Sequence, residues 1–155
     1  MTEDDLLNAA RAARKSAYAP YSGFRVGAAV LDAEGRIHAG CNVENAAYPE
    51  GVCAEGGAIS AMALAGGRAI RFVAISAGPG EELKACLPCG GCRQKILEFA
   101  GEGAQVLIDG PSGVERYRFA DLMPPRLRTR RPRPLDRAES RRRAAGAGLA
   151  VAVAG

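Results

Sequence analysis

Cys53, Cys89 and Cys92 are three soft donors in one short chain, and Glu55 stands two positions after the first of them. Thiolates suit zinc. A structural zinc site is normally closed by four protein ligands, whereas a catalytic one keeps a position open for water. Three cysteines and a carboxylate that is not needed as a ligand fit the open kind, whose chemistry is metal-assisted hydrolysis with Glu55 moving protons. Two other metal readings compete. Cys86-x-x-Cys89-x-x-Cys92 opens like an iron–sulfur run, but no further cysteine followed by proline comes after it. A structural zinc would take Cys86 or Cys41 as its fourth ligand, and neither reading gives Glu55 a task.

The elements around these residues alternate in type. Thr2 caps a first helix carrying Leu6, Leu7, Ala10, Ala13 and Ala17 at helical spacing, and Pro20 ends it. Arg25 to Leu31 and Arg36 to Asn42 read as a hairpin around the turn-forming Asp32-Ala33-Glu34-Gly35. A loop leads to Cys53. From Ala54 the positions Ala58, Ile59, Met62 and Ala65 keep a helical period until Gly66-Gly67. Ile70 to Ala77 reads as a buried strand, Cys89 precedes a helix running to Ala100, and Ala104 to Ile108 and Val114 to Phe119 read as two more strands. Five strands interleaved with helices predict an α/β layered domain with a mixed sheet, because both hairpins and crossovers occur.

On this placement Cys53 and Cys89 each sit just before a helix, where unpaired N–H groups and the positive dipole end favour thiolate. Three thiolates on Zn2+ still leave a net negative charge. An anionic ligand set acidifies water less than an all-histidine one, so a nearby base gains importance, and Glu55 in the first turn of its helix is in reach. Taken by itself, Glu55 is also an ordinary favourable acid at a helix start.

Composition narrows the class. The chain has 155 residues, 48% of them hydrophobic, enough for one sizeable core. The expected organisation is one domain over residues 1–125 and an Arg/Pro/Ala-rich tail over 126–155, disordered or atypical. The formal charge of +4 belongs to that tail: the first 125 residues carry 12 Lys and Arg against 15 Asp and Glu, the remainder 9 Arg against 2 acids. An acidic body argues against nucleic acid as a partner. No long apolar run follows the acidic start and Leu149 to Ala154 is too short to span a bilayer, so the expectation is a cytoplasmic protein without a membrane partner. An odd number of cysteines, 5, reads in a reducing compartment as metal binding before disulfides. Cys41 then reads as a small strand residue. The single histidine, His38, reads as a surface or satisfied strand residue, and without a second one a histidine-based nucleophilic triad has little support.

Several stretches together carry a resemblance: Tyr18-Ala19-Pro20-Tyr21-Ser22-Gly23-Phe24-Arg25-Val26-Gly27-Ala28-Ala29, Gly40-Cys41-Asn42-Val43-Glu44-Asn45-Ala46-Ala47-Tyr48-Pro49, Cys53-Ala54-Glu55 and Pro88-Cys89-Gly90-Gly91-Cys92-Arg93-Gln94. Over roughly residues 4 to 123 the chain resembles the small homotetrameric zinc-dependent cytidine deaminases, and the Cys-x-Glu and Pro-Cys-x-x-Cys pattern is that of zinc deaminases generally. The resemblance implies a three-layer domain with a five-stranded mixed sheet flanked by helices. It implies one Zn2+ per subunit on Cys53, Cys89 and Cys92, with Glu55 as proton shuttle in converting cytidine and 2′-deoxycytidine to uridine and 2′-deoxyuridine. It further implies that Asn42 and Glu44 bind the ribose hydroxyls, that Phe24 packs on the pyrimidine or sugar, and that Ala54 offers its N–H to the base. Ala46 and Tyr48 belong, in that family, to a loop reaching a neighbouring subunit's site. Read alone, Asn42 and Glu44 also suit a plain turn, Phe24 a core position, Tyr48 a packing lid, and Arg93 a surface or structural charge or an offset for the thiolates.

Two departures stand out. Many members carry an arginine directly after the motif glutamate; here Gly56-Gly57 follows, which costs helix stability and predicts close packing or a backbone approach at that point. Relatives also tend to end on Leu-Pro-x-x-Phe-Gly-Pro, whereas here Leu122-Met123-Pro124-Pro125-Arg126-Leu127 leads into the arginine-proline tail. Such an abrupt change of composition is what an out-of-frame reading of GC-rich DNA produces.

Overall fold

The computed structural model describes residues 2–124, so the tail expected over 126–155, with Leu127, lies outside the described residues. Helix α1 (Glu3–Lys15) begins at a capping box in which Asp5 N–H donates to Thr2 Oγ1 at 3.2 Å and Thr2 N–H to Asp5 Oδ2 at 2.8 Å. Acids fill its first turn and Arg14 and Lys15 its last, matching the dipole. It stops short of Ala17, because Ser16 turns its N–H back to Ala13 O and closes the helix.

Strand β1 (Phe24–Asp32) pairs antiparallel with β2 (Ile37–Cys41) and with β3 (Ile70–Pro79). Helix α2 (Ala54–Leu64) lies between β2 and β3 in the chain, and Gly66, at φ 86°, turns the chain after it. Helix α3 (Gly90–Phe99) is the crossover from β3 to the parallel strand β4 (Ala100–Gly110), and β5 (Gly113–Arg118) returns antiparallel. The order β2-β1-β3-β4-β5 is the mixed five-stranded sheet expected. Side-chain alternation sorts the layers. Ala28, Val30, Val73, Ile75, Val106 and Ile108 pack with α2 and α3, while Ala29, Ala74 and Leu107 pack with Leu6, Leu7 and Ala10 of α1 on the other side.

Strand β4 starts directly on the end of α3, four residues before the sequence reading begins it. Ala100 pairs with Ile70, then the register shifts before Phe72 meets Gln105. Gly101-Glu102-Gly103 carries no alternation of apolar and polar side chains, so its strand character comes from pairing alone.

The hairpin turn hides a larger difference. Asp32, read as the first turn residue, ends β1 fully buried, and its carboxylate accepts from Arg36 N–H at 2.7 Å, Arg36 Nε at 2.8 Å and His38 Nε2 at 2.9 Å. His38 is thus a satisfied strand residue. Burial opposes ionisation of Asp32, but the bonds from His38 and Arg36 outweigh it and hold the carboxyl below its usual range. Asp32→Ala, which strands these donors, is expected to cost about 3 kcal/mol in urea unfolding at neutral pH. Because the folded-state pKa is depressed, this contribution is present above the unfolded value of about 3.9 and is lost as pH falls through the folded value, so parent and variant should converge below about pH 4. A difference under about 0.5 kcal/mol at neutral pH would show the cluster to be dispensable.

Two further buried charges tie α1 to the sheet and its loops. Asp109 accepts from Arg11 Nε and Nη2 at 2.9 and 2.7 Å and from Ser76 Oγ at 2.9 Å. Arg14 Nη2 donates to the carbonyls of Gly80 and Glu82 at 2.8 and 2.5 Å, holding the loop after β3.

Candidate active site

Cys53 and Cys89 are the N-caps of α2 and α3, both in extended backbone conformation, so the two thiols sit at adjacent helix starts on one face of the sheet. Cys92, one turn into α3, is buried, and its N–H donates to Cys89 Sγ at 3.4 Å. Cys53 and Cys89 Sγ are 4.0 Å apart, and the three sulfurs all lie within 4.8 Å of one another. A tetrahedral zinc with Zn–S of about 2.3 Å separates its sulfurs by about 3.8 Å, so the cluster fits one Zn2+ per subunit. It is the one such group of three among the described residues. Cys86 lines the cavity beside it but is outside the cluster, and Cys41 lies in β2, with its thiol 3.6 Å from Ser16 O. Neither closes a four-cysteine sphere.

Desolvation holds the Cys53 thiol above its ordinary value, and desolvation with the nearby Glu55 charge holds Cys92 far above it. At Cys89 desolvation is outweighed by the Cys92 N–H and by bonds from the other two thiols, and the net shift is downward. Zinc binding to such a site must displace protons.

Glu55, in the first turn of α2, is 5% exposed and lines a cavity of about 480 Å³. Among the described residues none donates a hydrogen bond to its carboxylate. The same cavity is lined by Asn42, Glu44, Tyr48, Cys53, Ala54 and Cys89. Asn42 Oδ1 accepts from Val26 N–H at 2.8 Å and its Nδ2 donates to Phe24 O at 3.0 Å, which leaves one lone pair and one N–H of the amide unused. Glu44 Oε2 accepts from the N–H groups of Tyr21 and Ser22 at 2.9 and 3.2 Å, and its other oxygen accepts from the Ser22 hydroxyl. The Ser22 hydroxyl, then the Tyr21 N–H, hold this carboxyl below its usual range. Ser22, Tyr21 and Leu87 belong to the wall although the sequence reading assigned them no role. A serine and a glutamate that meet across twenty-two positions give no local signal. Phe24, Ala46 and Cys92 do not line the cavity: Phe24 is half-buried at the start of β1, and Ala46 is exposed in the loop before the 3-10 turn Tyr48–Glu50.

Two local features seat the helices. A Cβ on Gly40 of β2 would lie 2.3 Å from Ala58 N and 2.6 Å from Ala54 O, so α2 rests on a bare strand backbone. The close approach expected at Gly56-Gly57 is therefore enforced at Gly40. A Cβ on Gly57 would find its nearest neighbour at 3.5 Å, and one on Gly56 only side-chain atoms, at 3.8 Å or more. Arg93 takes the structural of the two roles read for it. Its guanidinium donates to Pro88 O and Leu122 O, both at 2.8 Å, which fixes the turn into Cys89 and engages it with carbonyls in place of the thiolates.

The family model for the cytidine and deoxycytidylate deaminase zinc-binding region matches residues 1–107. The cytidine deaminase of Mycobacterium tuberculosis is 44% identical over 117 residues, 76% of this chain and 82% of that protein. That of Sporosarcina psychrophila is 38% identical over 125 residues, 80% of this chain and 90% of that protein. The crystal structure of cytidine deaminase from Burkholderia pseudomallei superposes with a TM-score of 0.73 at 38% identity, covering 81% of this chain and 98% of that one. Three thiols gathered at two helix starts, a buried carboxylate beside them and these likenesses agree: the chain belongs to the zinc-dependent cytidine deaminase family.

Proposed function

We propose that the protein hydrolytically deaminates cytidine and 2′-deoxycytidine to uridine and 2′-deoxyuridine, releasing ammonia, in cytoplasmic pyrimidine salvage. The observation that carries this reading is Glu55, a buried carboxylate without a donor, facing a cavity beside three clustered thiols. Its oxygens reach the cavity with no protein donor among the described residues occupying them, so they are available to a molecule bound there. Cys53, Cys89 and Cys92 hold Zn2+, which when bound supplies a Lewis acid that acidifies water. Glu55 takes a proton from the attacking water and gives it to N3 as C4 is attacked, then takes the remaining hydroxyl proton of the C4 adduct and passes it to the exocyclic amine as the C4–N bond breaks and ammonia leaves.

The other residues bind and orient. Glu44, held ionised by Ser22 and Tyr21, accepts from the ribose hydroxyls, and Asn42 offers its unused lone pair and N–H. Ala54, the first residue of α2, has a backbone N–H that no preceding turn satisfies, and it donates to the base. Among the described residues Glu44 and Glu55 are the charged side chains of the cavity wall, and two acids without a lysine or arginine among them favour a neutral nucleoside over a phosphorylated one or a nucleic acid. Exposed Tyr21, Val43, Val52, Leu87 and the 83% exposed Tyr48 rim the cavity. An apolar rim of this kind supports a homotetramer in which Ala46 and Tyr48 reach a neighbouring copy's site. No helix among the described residues is long and apolar enough to cross a membrane.

The test is the ultraviolet absorbance change of cytidine and deoxycytidine with zinc-loaded protein. Both are expected to turn over, and Glu44→Gln is expected to raise KM about tenfold or more with a smaller change in kcat, because a charge-assisted bond to the sugar is lost. Zinc-loaded protein inert toward both nucleosides would overturn the reading.

A further inference from the structure

Three thiolates on a divalent cation, with the Glu55 carboxylate beside them, make a negative centre, and among the described residues the cavity wall adds Glu44 and no cation. The helix starts at Cys53 and Cys89 offset part of this charge. Arg93 is engaged with the carbonyls of Pro88 and Leu122. Lys95 is different: it is exposed and has no hydrogen-bond or ion-pair partner among the described residues.

Lys95 stands one turn after Gly91 on α3, and helical side chains run back toward the amino end. A Cβ built on Gly91 would meet Lys95 Nζ at 3.9 Å and Cys89 Sγ at 4.0 Å, so ammonium and sulfur flank the same point. A Cβ on Gly56, directly after Glu55, would lie 3.8 Å from Lys95 Cδ and 3.9 Å from its Cε. The lysine stem therefore crosses from α3 to α2 over two bare glycines, and no closer atom obstructs it at either. An ammonium near the amino ends of two helices is normally disfavoured, since it faces the positive ends of both dipoles. An anionic centre between those ends reverses the sign.

We propose that Lys95 is a positioning residue for the zinc centre: its ammonium, laid across Gly56 and Gly91, compensates the thiolate charge and strengthens retention of the ion. The proposal rests on the reading that Cys53, Cys89 and Cys92 hold zinc. The experiment is competition for Zn2+ against a chromophoric chelator, at low and high salt, for the parent, Lys95→Met and Lys95→Arg, with circular dichroism to verify folding. Lys95→Met is expected to bind zinc about threefold to fivefold more weakly at low salt, with the difference shrinking at high salt, as for an exposed charge. Lys95→Arg should keep the parent's affinity. Equal affinity of Lys95→Met and parent at low salt would overturn the assignment. So would a loss independent of salt or shared by Lys95→Arg, which would mark a packing role. A parent that takes up no zinc would instead overturn the three-cysteine reading.

Discussion

Glu55→Gln is expected to keep its zinc and to lose about a thousandfold or more in kcat for cytidine. Glutamine has the size of glutamate and is not needed as a ligand, so the three sulfurs and the cavity should stay as they are. On the proposed mechanism what disappears is a group that accepts a proton, holds it and gives it up again, and a positioned acid–base group contributes about a hundredfold to ten-thousandfold. One residue serving in successive proton transfers puts the expected loss in the upper part of that range. The same change should leave stability within about 0.5 kcal/mol of the parent, because the carboxylate oxygens reach the cavity and are not sealed in the core. Zinc content, kcat and urea unfolding of the variant together form the test. Near-parent turnover with zinc in place would remove Glu55 from the mechanism.

Gly40→Ala is expected to damage both stability and activity strongly. The new methyl would lie 2.3 Å from Ala58 N and 2.6 Å from both Ala54 O and Gly57 C, and all three are backbone atoms that no rotamer change can clear. Helix α2 must lift off β2, at a cost of about 3 kcal/mol, the upper end for overpacking. Cys53 and Glu55 sit at the start of that helix, so protein that still folds should lose about a hundredfold in kcat/KM, as displacements near 1 Å do. The control is Gly57→Ala on the other side of the same contact. Its Cβ has 3.5 Å to the nearest atom, and removing a glycine from a helix interior should stabilise by about 0.5–1 kcal/mol. Equal effects of the two substitutions would mean that the strand and helix are not seated as described.

The contrast between these glycines shows which features the chain discloses directly. Cys53, Glu55, Cys89 and Cys92 were legible because helix starts are local: turn residues, a proline and the onset of a helical period place a cap within a residue or two. The mixed sheet was legible for the same reason, since hairpin turns and a crossover helix constrain which strands pair. Features whose partners are remote were not. Gly56-Gly57 drew attention as a pair inside a helix, yet the strict requirement sits at Gly40, whose role exists only once β2 lies against α2. Asp32 looked like a turn residue because its burial depends on β1 continuing to it and on His38, which pairs with Val30 across the hairpin and donates to its carboxylate. Arg93 looked available to the thiolates until Leu122, twenty-nine positions on, proved to accept from it. Lys95 had no signal at all, because its place follows from how α3 leans on α2.

The bond from Arg14 to the carbonyls of Gly80 and Glu82 has reach beyond the layer it belongs to. The chain that leaves β3 passes through that anchor and goes on to supply Cys86 and Leu87 to the cavity wall before it arrives at Cys89. One side of the binding chamber is therefore suspended from the first helix, across the thickness of the sheet. An affinity tag fused at the amino end, a trimmed start or a frayed capping box at Thr2 would be felt as a looser grip on substrate, far from where the change was made. Any comparison of tagged and untagged protein is then also a measurement of how tightly the two faces of the sheet are coupled.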